Sequence, residues 1–246
     1  MKRISTYAAA LLALLCLTAK GQDNAYKKIT QAEASQLLKQ VNLWYSSSAT
    51  YSFVITHAIY AGHTASTPYE EKKGYVKKFT GGSHSNVIGI HTLQNKDHKI
   101  IIDSSQKLIV VANAIKDSEK GFSPEELQAA LKNCVALKLA EHGKLKSLVI
   151  ECDKNSAITS YKLDIEKDGR LRAVTLLYAR EVKSPTGALV KPKMIIGFDK
   201  YGTGVSAEKG ELNEGKYFKK ENNELFVSDA YKGYTLLDQR TPDEKP

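Results

Sequence analysis

The stretch KIIIDSSQKLIVVA, residues 99–112, decides the fold. Two runs that are aliphatic after an initial lysine, 99–102 and 107–112, flank the turn-forming sequence Asp103-Ser104-Ser105-Gln106, which predicts a β-hairpin. Successive side chains of a strand point to opposite faces of the sheet, and apolar residues occupy both faces of these two strands. Such a sheet cannot leave either face in water, so we expect a helix or a second sheet to cover it.

A helix is predicted before this hairpin. Thr30 and Glu33 form a capping box, in which the hydroxyl and the carboxylate accept hydrogen bonds from free N–H groups at the helix start. Apolar residues then recur at helical spacing and form one stripe. The members of this stripe are Ala34, Leu37, Leu38, Val41, Trp44 and Tyr45. The three serines at residues 46–48 are expected to end the helix.

A second helix is predicted after the hairpin. Ser123 has the chemistry of an N-cap, Pro124 suits the first helical position, and Glu126 completes a capping box. Leu127, Ala130, Leu131, Cys134 and Leu137 or Lys138 form its apolar stripe. We expect it to end at His142-Gly143.

Most of the remaining chain shows strand patterns. The predicted strands cover residues 51–60, 74–80, 86–93, 148–152, 160–166, 170–180, 192–198, 225–228 and 234–237. Asp168-Gly169 predicts a hairpin with a two-residue turn that pairs Lys167 with Arg170. This register sets Leu163 opposite Val174 and Tyr161 opposite Leu176. Residues 199–215 are rich in glycine and charge, and we expect a mobile loop there. The order of elements predicts an α+β protein with a dominant antiparallel sheet and helices covering one sheet face.

The first 21 residues have the composition of a secretory signal peptide. Lys2 and Arg3 precede a compact apolar run at residues 7–17, and small residues follow at positions 19–21. The run is shorter than the roughly 20 residues of a membrane-spanning helix. We therefore expect cleavage before Gln22 and a periplasmic or secreted mature protein.

The mature chain is expected to form one domain over residues 22–240, followed by a disordered tail at residues 241–246. Cys16 would suit lipoprotein processing only after a small residue, and Leu15 precedes it. A soluble protein is therefore expected rather than a lipid-anchored one. No later apolar run is long enough to span a membrane.

The number and distribution of charged residues argue against a nucleic-acid partner. The chain has 36 basic and 27 acidic residues and a net charge of +9, of which Lys2, Arg3 and Lys20 would leave with the signal peptide. The remaining lysines are scattered, without the clustered basic and aromatic pattern of RNA-binding proteins. We therefore expect no nucleic-acid partner.

Two cysteines, Cys134 and Cys152, remain after the expected cleavage. In an oxidising compartment such a pair can form a disulfide, and two buried thiols in a core are the alternative. The sequence leaves both open because it does not show whether the two Cα atoms come within bonding range.

No motif for catalysis, a cofactor or a metal is recognised. Five histidines, His57, His63, His84, His91 and His98, lie in the first half of the chain without a standard ligand spacing. Ser83 lacks the G-x-S-x-G context of a nucleophile elbow. The prediction is a protein that is not an enzyme and binds no cofactor.

The element order resembles that of the periplasmic lipoprotein carriers, the LolA/LolB-like family. The features that carry the resemblance are a capped helix before the aromatic strand at residues 51–60, the hairpin over residues 95–111, a following helix and a second run of strands. The resemblance implies an antiparallel sheet curved into an incomplete β-barrel, with helices covering its concave face. It also implies an apolar or lipidated ligand.

Two functions are expected from these features. The first is a carrier or sensor that binds an acyl-bearing or other apolar ligand, a lipoprotein or lipid, in a half-barrel cavity. Its expected ligand contacts are Trp44, Tyr51, Phe53, Ile55, Ile100 and Ile102. The alternative is a solid-cored envelope adaptor that binds a protein or glycan through its C-terminal tyrosines. These are Tyr201, Tyr217, Tyr231 and Tyr234. Periodicity does not separate a hollow barrel from a filled one.

Overall fold

The computed structural model describes residues 26–114, 131–132, 134–222 and 224–241. The signal peptide lies outside these residues, as do the first part of the predicted second helix and residues 242–246. The expectations of cleavage before Gln22 and of a disordered tail therefore stay predictions.

The first helix is confirmed. Helix α1 spans Gln31–Ser47 and is preceded by Thr30 as N-cap. The Thr30 N–H donates to Glu33 Oε2 over 2.7 Å, and the Glu33 N–H donates to Thr30 Oγ1 over 3.2 Å, which is the predicted capping box. At the other end, the Ser48 N–H donates to the Trp44 carbonyl oxygen. The buried residues of α1 are Ala34, Leu37, Leu38, Val41 and Tyr45.

Strands dominate the rest of the described chain. The first nine are β1 (Lys27–Lys28), β2 (Tyr51–Tyr60), β3 (Pro68–Phe79), β4 (Gly82–Val87), β5 (Ile90–Gln94), β6 (His98–Asp103), β7 (Leu108–Asn113), β8 (Cys134–His142) and β9 (Leu145–Cys152). The others are β10 (Ile158–Glu166), β11 (Leu171–Tyr178), β12 (Val182–Lys183), β13 (Leu189–Val190), β14 (Lys193–Thr203), β15 (Phe218–Glu221), β16 (Glu224–Val227) and β17 (Thr235–Asp238).

Thirteen of these strands form one large sheet in the order β1-β8-β9-β10-β11-β14-β2-β3-β4-β5-β6-β7-β17. Its neighbouring strands run antiparallel except for β17, which pairs in parallel with β7. The sheet is not closed into a barrel, because β1 and β17 lie at its two ends. Two small hairpins, β12–β13 and β15–β16, stand apart from it.

The register defines two faces of this sheet. On β2 and β3, Phe53 lies opposite Val76, and directly opposed residues share a face. We call this side the helix face, because Phe53 packs in one cluster with the buried residues of α1. Leu93 lies opposite Ile100, and the face they share is opposite to that of Phe53. We call it the C-terminal face, because residues such as Tyr217 and Phe218 of the C-terminal segment, residues 205–222 and 224–241, pack against it.

The core on the helix face joins α1 to the middle and one end of the sheet. Its buried sheet residues include Tyr51, Phe53, Ile55, Leu137, Leu139, Leu148, Ile150, Leu163, Ile165, Leu171, Val174 and Phe198. Each buried side chain of this size contributes about 1.5–3 kcal/mol relative to exposure. Burial of its apolar stripe therefore holds α1 against the sheet.

The C-terminal segment covers the apolar hairpin at residues 99–112. The core on this face contains Leu93, Ile100, Ile102, Ile109, Val111, Tyr217 and Phe218. The hairpin β6–β7 forms as predicted, with the Asp103 carboxylate accepting hydrogen bonds from the N–H groups of Ser105 and Gln106 in its turn. The requirement for a cover is met on this face by the β15–β16 hairpin and neighbouring residues rather than by a helix.

The predicted second helix is wrong over its second half. Residues Cys134–His142 form strand β8, and Gly143 has a φ of +60° in the turn to β9. Leu137 fits the predicted helical stripe, but Leu137 and Leu139 together fit the alternation of a strand. Their pairing with Ile150 and Leu148 selects the strand. A second helix covering the sheet is therefore not seen among the described residues, although Leu131 and Lys132 are helical.

Three further predictions change in detail. The segment predicted as one strand at residues 86–93 is divided into β4 and β5, with Ile88 and Gly89 in the turn at positive φ. The predicted mobile loop is shorter at its start, because β14 continues to Thr203. The β10–β11 hairpin has the predicted register, Leu163 opposite Val174, but a bulge before its turn pairs Ile165 with Leu171.

Candidate functional site: an apolar shelf on the helix face

Four of the six predicted ligand contacts lie together in the helix-face core. Trp44 and Tyr51 have ring centroids 5.6 Å apart, and Tyr51 stacks on Phe53 at 5.9 Å. Tyr51, Phe53 and Ile55 are each less than 9% exposed, while Trp44 is half-buried. In this structure α1 fills the space above these rings.

The other two predicted contacts lie on the opposite face. Ile100 and Ile102 are 0% and 1% exposed beneath the C-terminal segment. The structure therefore does not bring the six residues to one surface. Strict alternation along β6 places Ile101, between them, on the helix face instead.

A different set of apolar residues forms a half-buried surface on the helix face. On β2, the buried residues Phe53 and Ile55 are followed along the same face by the half-buried His57 and Ile59. The same transition occurs on the next three strands, β14, β11 and β10. We call the resulting surface the apolar shelf, and it consists of Ile59, Tyr161, Leu176, Met194 and Ile196.

The register makes the shelf continuous. Ile59 lies opposite Met194, Met194 opposite Leu176, and Leu176 opposite Tyr161. These residues cross four neighbouring strands, a width of about 14 Å at the usual strand spacing of about 4.8 Å. Tyr161, Leu176 and Ile196 also contact the helix-face core. The shelf is therefore an extension of the core that the helix does not bury completely.

His57 is the polar side chain within this surface. It lies opposite Ile196 on one side and opposite Lys72 on the other. Its Nδ1 and Nε2 atoms are both buried and have no hydrogen-bond partner among the described residues. Burial lowers the pKa of the imidazole, which favours its neutral form.

Charged residues mark the β3 side of the shelf. Glu70 lies opposite Ile59, and Lys72 lies opposite His57. Lys72 Nζ and Glu70 Oε1 are 2.7 Å apart, and their side chains are 55% and 42% exposed. The surface therefore changes from apolar to charged and solvent-exposed across a single strand boundary.

The two cysteines lie on the same face at the end of the β8–β9 hairpin. Cys134 is directly opposite Cys152, and both are half-buried free thiols that contact the helix-face core. Burial, with the neighbouring Cys134 as a second cause, raises the pKa of the Cys152 thiol. Directly opposed residues have Cα atoms about 4.5–5.5 Å apart, a separation that a disulfide accommodates.

A pair of tyrosines anchors the end of α1 next to the core. The hydroxyl oxygens of Tyr45 and Tyr201 are 2.6 Å apart, and the Tyr201 hydroxyl donates to the Leu171 carbonyl oxygen over 2.8 Å. Burial raises the pKa of both hydroxyls, so they are protonated at neutral pH. The Tyr201 hydroxyl therefore makes its hydrogen bonds within the fold.

The remaining C-terminal tyrosines pack on one another over the opposite face. The ring centroids of Tyr217 and Tyr231 are 5.4 Å apart, and those of Tyr231 and Tyr234 are 5.0 Å apart. All three belong to or contact the core beneath the C-terminal segment. The alternative adaptor surface is thus engaged in internal packing.

Histidines on the C-terminal face pair with carboxylates. His84 Nδ1 lies 3.1 Å from Glu211 Oε1, and Lys77 Nζ donates to the same oxygen over 2.9 Å. His98 Nδ1 lies 2.7 Å from Glu214 Oε2. These contacts hold the C-terminal segment on the sheet. Within the described part of the chain, no group of three or more His, Cys, Asp or Glu residues is placed to hold a metal ion.

One cleft lies apart from the shelf, at the end of β2 and β3. It has a volume of about 320 Å³ and is open to solvent. Its lining residues are Thr50, Phe79, Thr80, Gly204, Val205, Ser206 and Ala207. These side chains offer no titratable group, so the cleft has no evident chemistry. Within the described residues, no helix combines the length and apolar character that crossing a membrane requires.

Comparisons with known proteins find similarity in structure. No protein-family model matches the chain, and no curated protein matches its sequence. An uncharacterized conserved protein from Thermus thermophilus is similar at 11% identity and a TM-score of 0.43, over 85% of this chain and 99% of that one.

Two further solved structures are similar at lower TM-scores. LprF from Mycobacterium bovis is similar at 10% identity and a TM-score of 0.35, over 74% of this chain and 98% of that one. A domain named for outer membrane lipoprotein sorting, from Vibrio parahaemolyticus, is similar at 10% identity and a TM-score of 0.27, over 74% and 96%. The TM-scores are below 0.5, so the function has to follow from the side chains of this protein.

Proposed function

We propose that this protein is a non-enzymatic carrier or sensor of the cell envelope that binds an acyl-bearing or other apolar ligand, a lipid or a lipoprotein, on the helix face of its sheet. The observation that carries the proposal is the apolar shelf, which continues the core across four strands without being fully buried. The periplasmic or secreted location rests on the signal-peptide pattern of residues 1–21.

The physical chemistry of the shelf suits an acyl chain. Each methylene that leaves water for an apolar surface contributes about 0.8 kcal/mol. A chain of roughly ten methylenes therefore supplies up to about 8 kcal/mol before the cost of association, which is enough for a useful affinity only if most of the chain is buried. Half-burial of the shelf residues leaves apolar area for this contact.

The proposed function includes a half-barrel cavity for the ligand. The shelf forms the entrance of this cavity, and the aromatic cluster of Trp44, Tyr51 and Phe53 forms its inner end. A ligand that reached these rings would have to displace part of α1, whose Tyr45 is held by its contact with Tyr201. We therefore assign the first contacts of the ligand to the shelf.

The alternative adaptor function has less support. It requires an exposed apolar or tyrosine-rich patch on a filled fold, whereas Tyr217 is 5% exposed and stacks with Tyr231. The exposed apolar residues of the C-terminal segment, Phe226 and Leu237, are 46% and 43% exposed. Scattered exposed residues of this kind are ordinary for a globular protein.

The test is uptake of a fluorescent fatty acid by the purified protein and two variants. Leu176→Asp places a charge in the centre of the shelf and should abolish uptake. Leu189→Asp is the matched control, because Leu189 is 65% exposed in the separate β12–β13 hairpin, and it should bind as the unmodified protein does. Uptake that is equal in all three proteins, each shown to be folded by circular dichroism, would contradict the proposal.

A further inference from the structure

The small β12–β13 hairpin lies at the end of the sheet that carries the apolar shelf. It belongs to the connection from β11 to β14, and the shelf residues Leu176 and Met194 lie within two positions of the strand ends that it joins. Neither of the two described cores contains a residue of this hairpin. Its apolar side chains Val182 and Leu189 are 42% and 65% exposed. They therefore add little to the stability of the fold.

The tip of this hairpin, residues 184–189, carries no charged side chain. Its polar groups are paired with one another. The Ser184 N–H donates to the Ala188 carbonyl oxygen and the Gly187 N–H donates to the Ser184 carbonyl oxygen, both over 2.8 Å. The hydroxyl oxygens of Ser184 and Thr186 are 2.9 Å apart. Because paired polar groups lose less when they leave water, the tip can enter a less polar medium at a low cost.

Three cations follow the tip on both strands of the hairpin. Arg180, Lys183 and Lys191 are exposed, and none of them forms an ion pair with another described residue. Glu181 is the single acidic residue between positions 180 and 191, so this segment has a net charge of about +2 at neutral pH. An exposed apolar group next to unpaired cations has the chemistry of a segment that binds anionic lipid.

The other small hairpin, β15–β16, lacks this arrangement. Phe226 on β16 is 46% exposed, but Glu221 and Glu224 lie opposite each other at the end of the hairpin. Its Lys219 is engaged with Asp229 over 2.8 Å. The combination of exposed apolar groups and unpaired cations therefore distinguishes β12–β13 from a hairpin of similar size in the same chain.

We propose that the β12–β13 hairpin docks the protein on the surface of an anionic lipid bilayer. Leu189 and the uncharged tip enter the boundary between headgroups and acyl chains, and Arg180, Lys183 and Lys191 lie near the lipid phosphates. The inference goes beyond the proposed function, because it concerns a separate surface and holds whether or not the shelf binds a ligand. Docking in this way places the shelf end of the sheet next to the bilayer.

The experiment is co-sedimentation of the mature protein with lipid vesicles. One set of vesicles contains equal parts of phosphatidylglycerol and phosphatidylcholine, and the other contains phosphatidylcholine alone. Each positive charge near an anionic surface strengthens binding about fivefold. The net charge of the hairpin should therefore give roughly thirtyfold stronger binding to the anionic vesicles, and added salt should weaken this binding.

Two pairs of variants locate the contact on the hairpin. Leu189→Ser should weaken binding to anionic vesicles by about tenfold, whereas Phe226→Ser, the matched change on β16, should not. Lys183→Gln should weaken it by about fivefold. Lys232→Gln removes an exposed lysine of the C-terminal segment and should have a much smaller effect. All four positions are exposed or contribute little to the cores, and circular dichroism should show the same melting curve for each protein.

Three results would overturn the docking surface. They are the absence of co-sedimentation with anionic vesicles, equal losses in Leu189→Ser and Phe226→Ser, and equal losses in Lys183→Gln and Lys232→Gln, the last of which would indicate attraction by the net charge of the whole protein. Leu176→Asp separates this inference from the proposed function, because it should lose fatty-acid uptake and still bind vesicles. Vesicle binding by a protein that takes up no fatty acid would overturn the proposed function and leave the docking surface standing.

Discussion

The sharpest prediction concerns two leucines on neighbouring strands of the same face. Leu163 on β10 is 4% exposed in the helix-face core, whereas Leu176 on β11 is half-buried on the shelf. Each is replaced by alanine, so the chemical change is identical. If the shelf binds the ligand and the core holds the fold, Leu163→Ala should affect stability and Leu176→Ala should affect affinity.

The expected magnitudes follow from burial. A fully buried Leu→Ala replacement costs about 2–5 kcal/mol, which lowers the melting temperature of a chain of this size by about 5–20 °C. Leu176→Ala should cost less than half as much, because its side chain already contacts solvent. It removes three carbons from the ligand surface, a loss of up to about 2 kcal/mol, which corresponds to an affinity weaker by up to roughly thirtyfold.

The assay measures both quantities on each protein. Melting is followed by circular dichroism, and affinity by titration with a fluorescent fatty acid at a temperature where all three proteins are folded. The reasoning is refuted if Leu176→Ala binds as tightly as the unmodified protein. It is equally refuted if Leu163→Ala weakens binding as much as Leu176→Ala does, because the shelf would then have no special role.

Three further predictions concern the framework around the site. Oxidised glutathione should convert the opposed thiols of Cys134 and Cys152 into a disulfide. Mass spectrometry should then find the mature chain lighter by two hydrogens, and the fold should be more stable by about 3 kcal/mol. Two thiols that can still be alkylated after this treatment would contradict the opposed placement. Gly169→Ala should lower the melting temperature, because Gly169 has a φ of +94° and an added Cβ would lie 2.7 Å from the Gln40 carbonyl oxygen of α1; an unchanged melting curve would show that α1 can move away from this turn. Burial alone would raise the pKa of the Glu211 carboxyl, but hydrogen bonds from Lys77, the Glu208 N–H and His84 hold this pKa below its usual value of 4.5. The ionised carboxyl therefore stabilises the fold above pH 4.5, and this stabilisation is lost as the pH falls through the lowered pKa. The difference in melting temperature between the unmodified protein and Glu211→Gln should shrink on acidification, and a difference that stays constant would contradict this prediction.

Local signals in the sequence were enough to predict several elements. The capping box of Thr30 and Glu33 and the apolar stripe after it define α1 because both depend on residues within a few positions of one another. The β10–β11 register follows from its turn and its alternation, which agree on Leu163 opposite Val174. The turn itself was mispredicted, since a bulge near Ile165 is not evident from the pattern.

The error at Cys134–His142 has a specific cause. Leu137 fits a helical stripe that begins at Leu131, and Gly143 fits a helical stop as well as a hairpin turn. Periodicity alone does not resolve a short segment that satisfies both spacings. Pairing with Leu145–Cys152 makes the segment a strand, and this pairing is a tertiary contact that local periodicity does not encode.

None of the five shelf residues was among the six ligand contacts predicted from the sequence. Alternation along β2 places Phe53, Ile55 and Ile59 on one face, as the structure shows. Alternation within a strand does not relate its faces to those of a distant strand, so Ile100 and Ile102 were grouped with Phe53 although they lie on the opposite face. Nor does it show where α1 stops covering the sheet, which is what leaves Leu176 and Met194 half-buried.

The strand pairing of the C-terminal segment could not be predicted from the sequence pattern either. Strand β17 pairs in parallel with β7, joining Leu236 to Ile109 across more than a hundred positions of sequence. Such contacts depend on the whole chain rather than on local propensity. They explain how the apolar hairpin of β6 and β7 is covered.

The central claim is that the helix face binds an apolar ligand, and native mass spectrometry of the mature protein from a periplasmic extract tests it most directly. The account predicts a co-purifying mass of lipid size on the unmodified protein and its absence from Leu176→Asp. A bare polypeptide that also fails to take up a fluorescent fatty acid would contradict it.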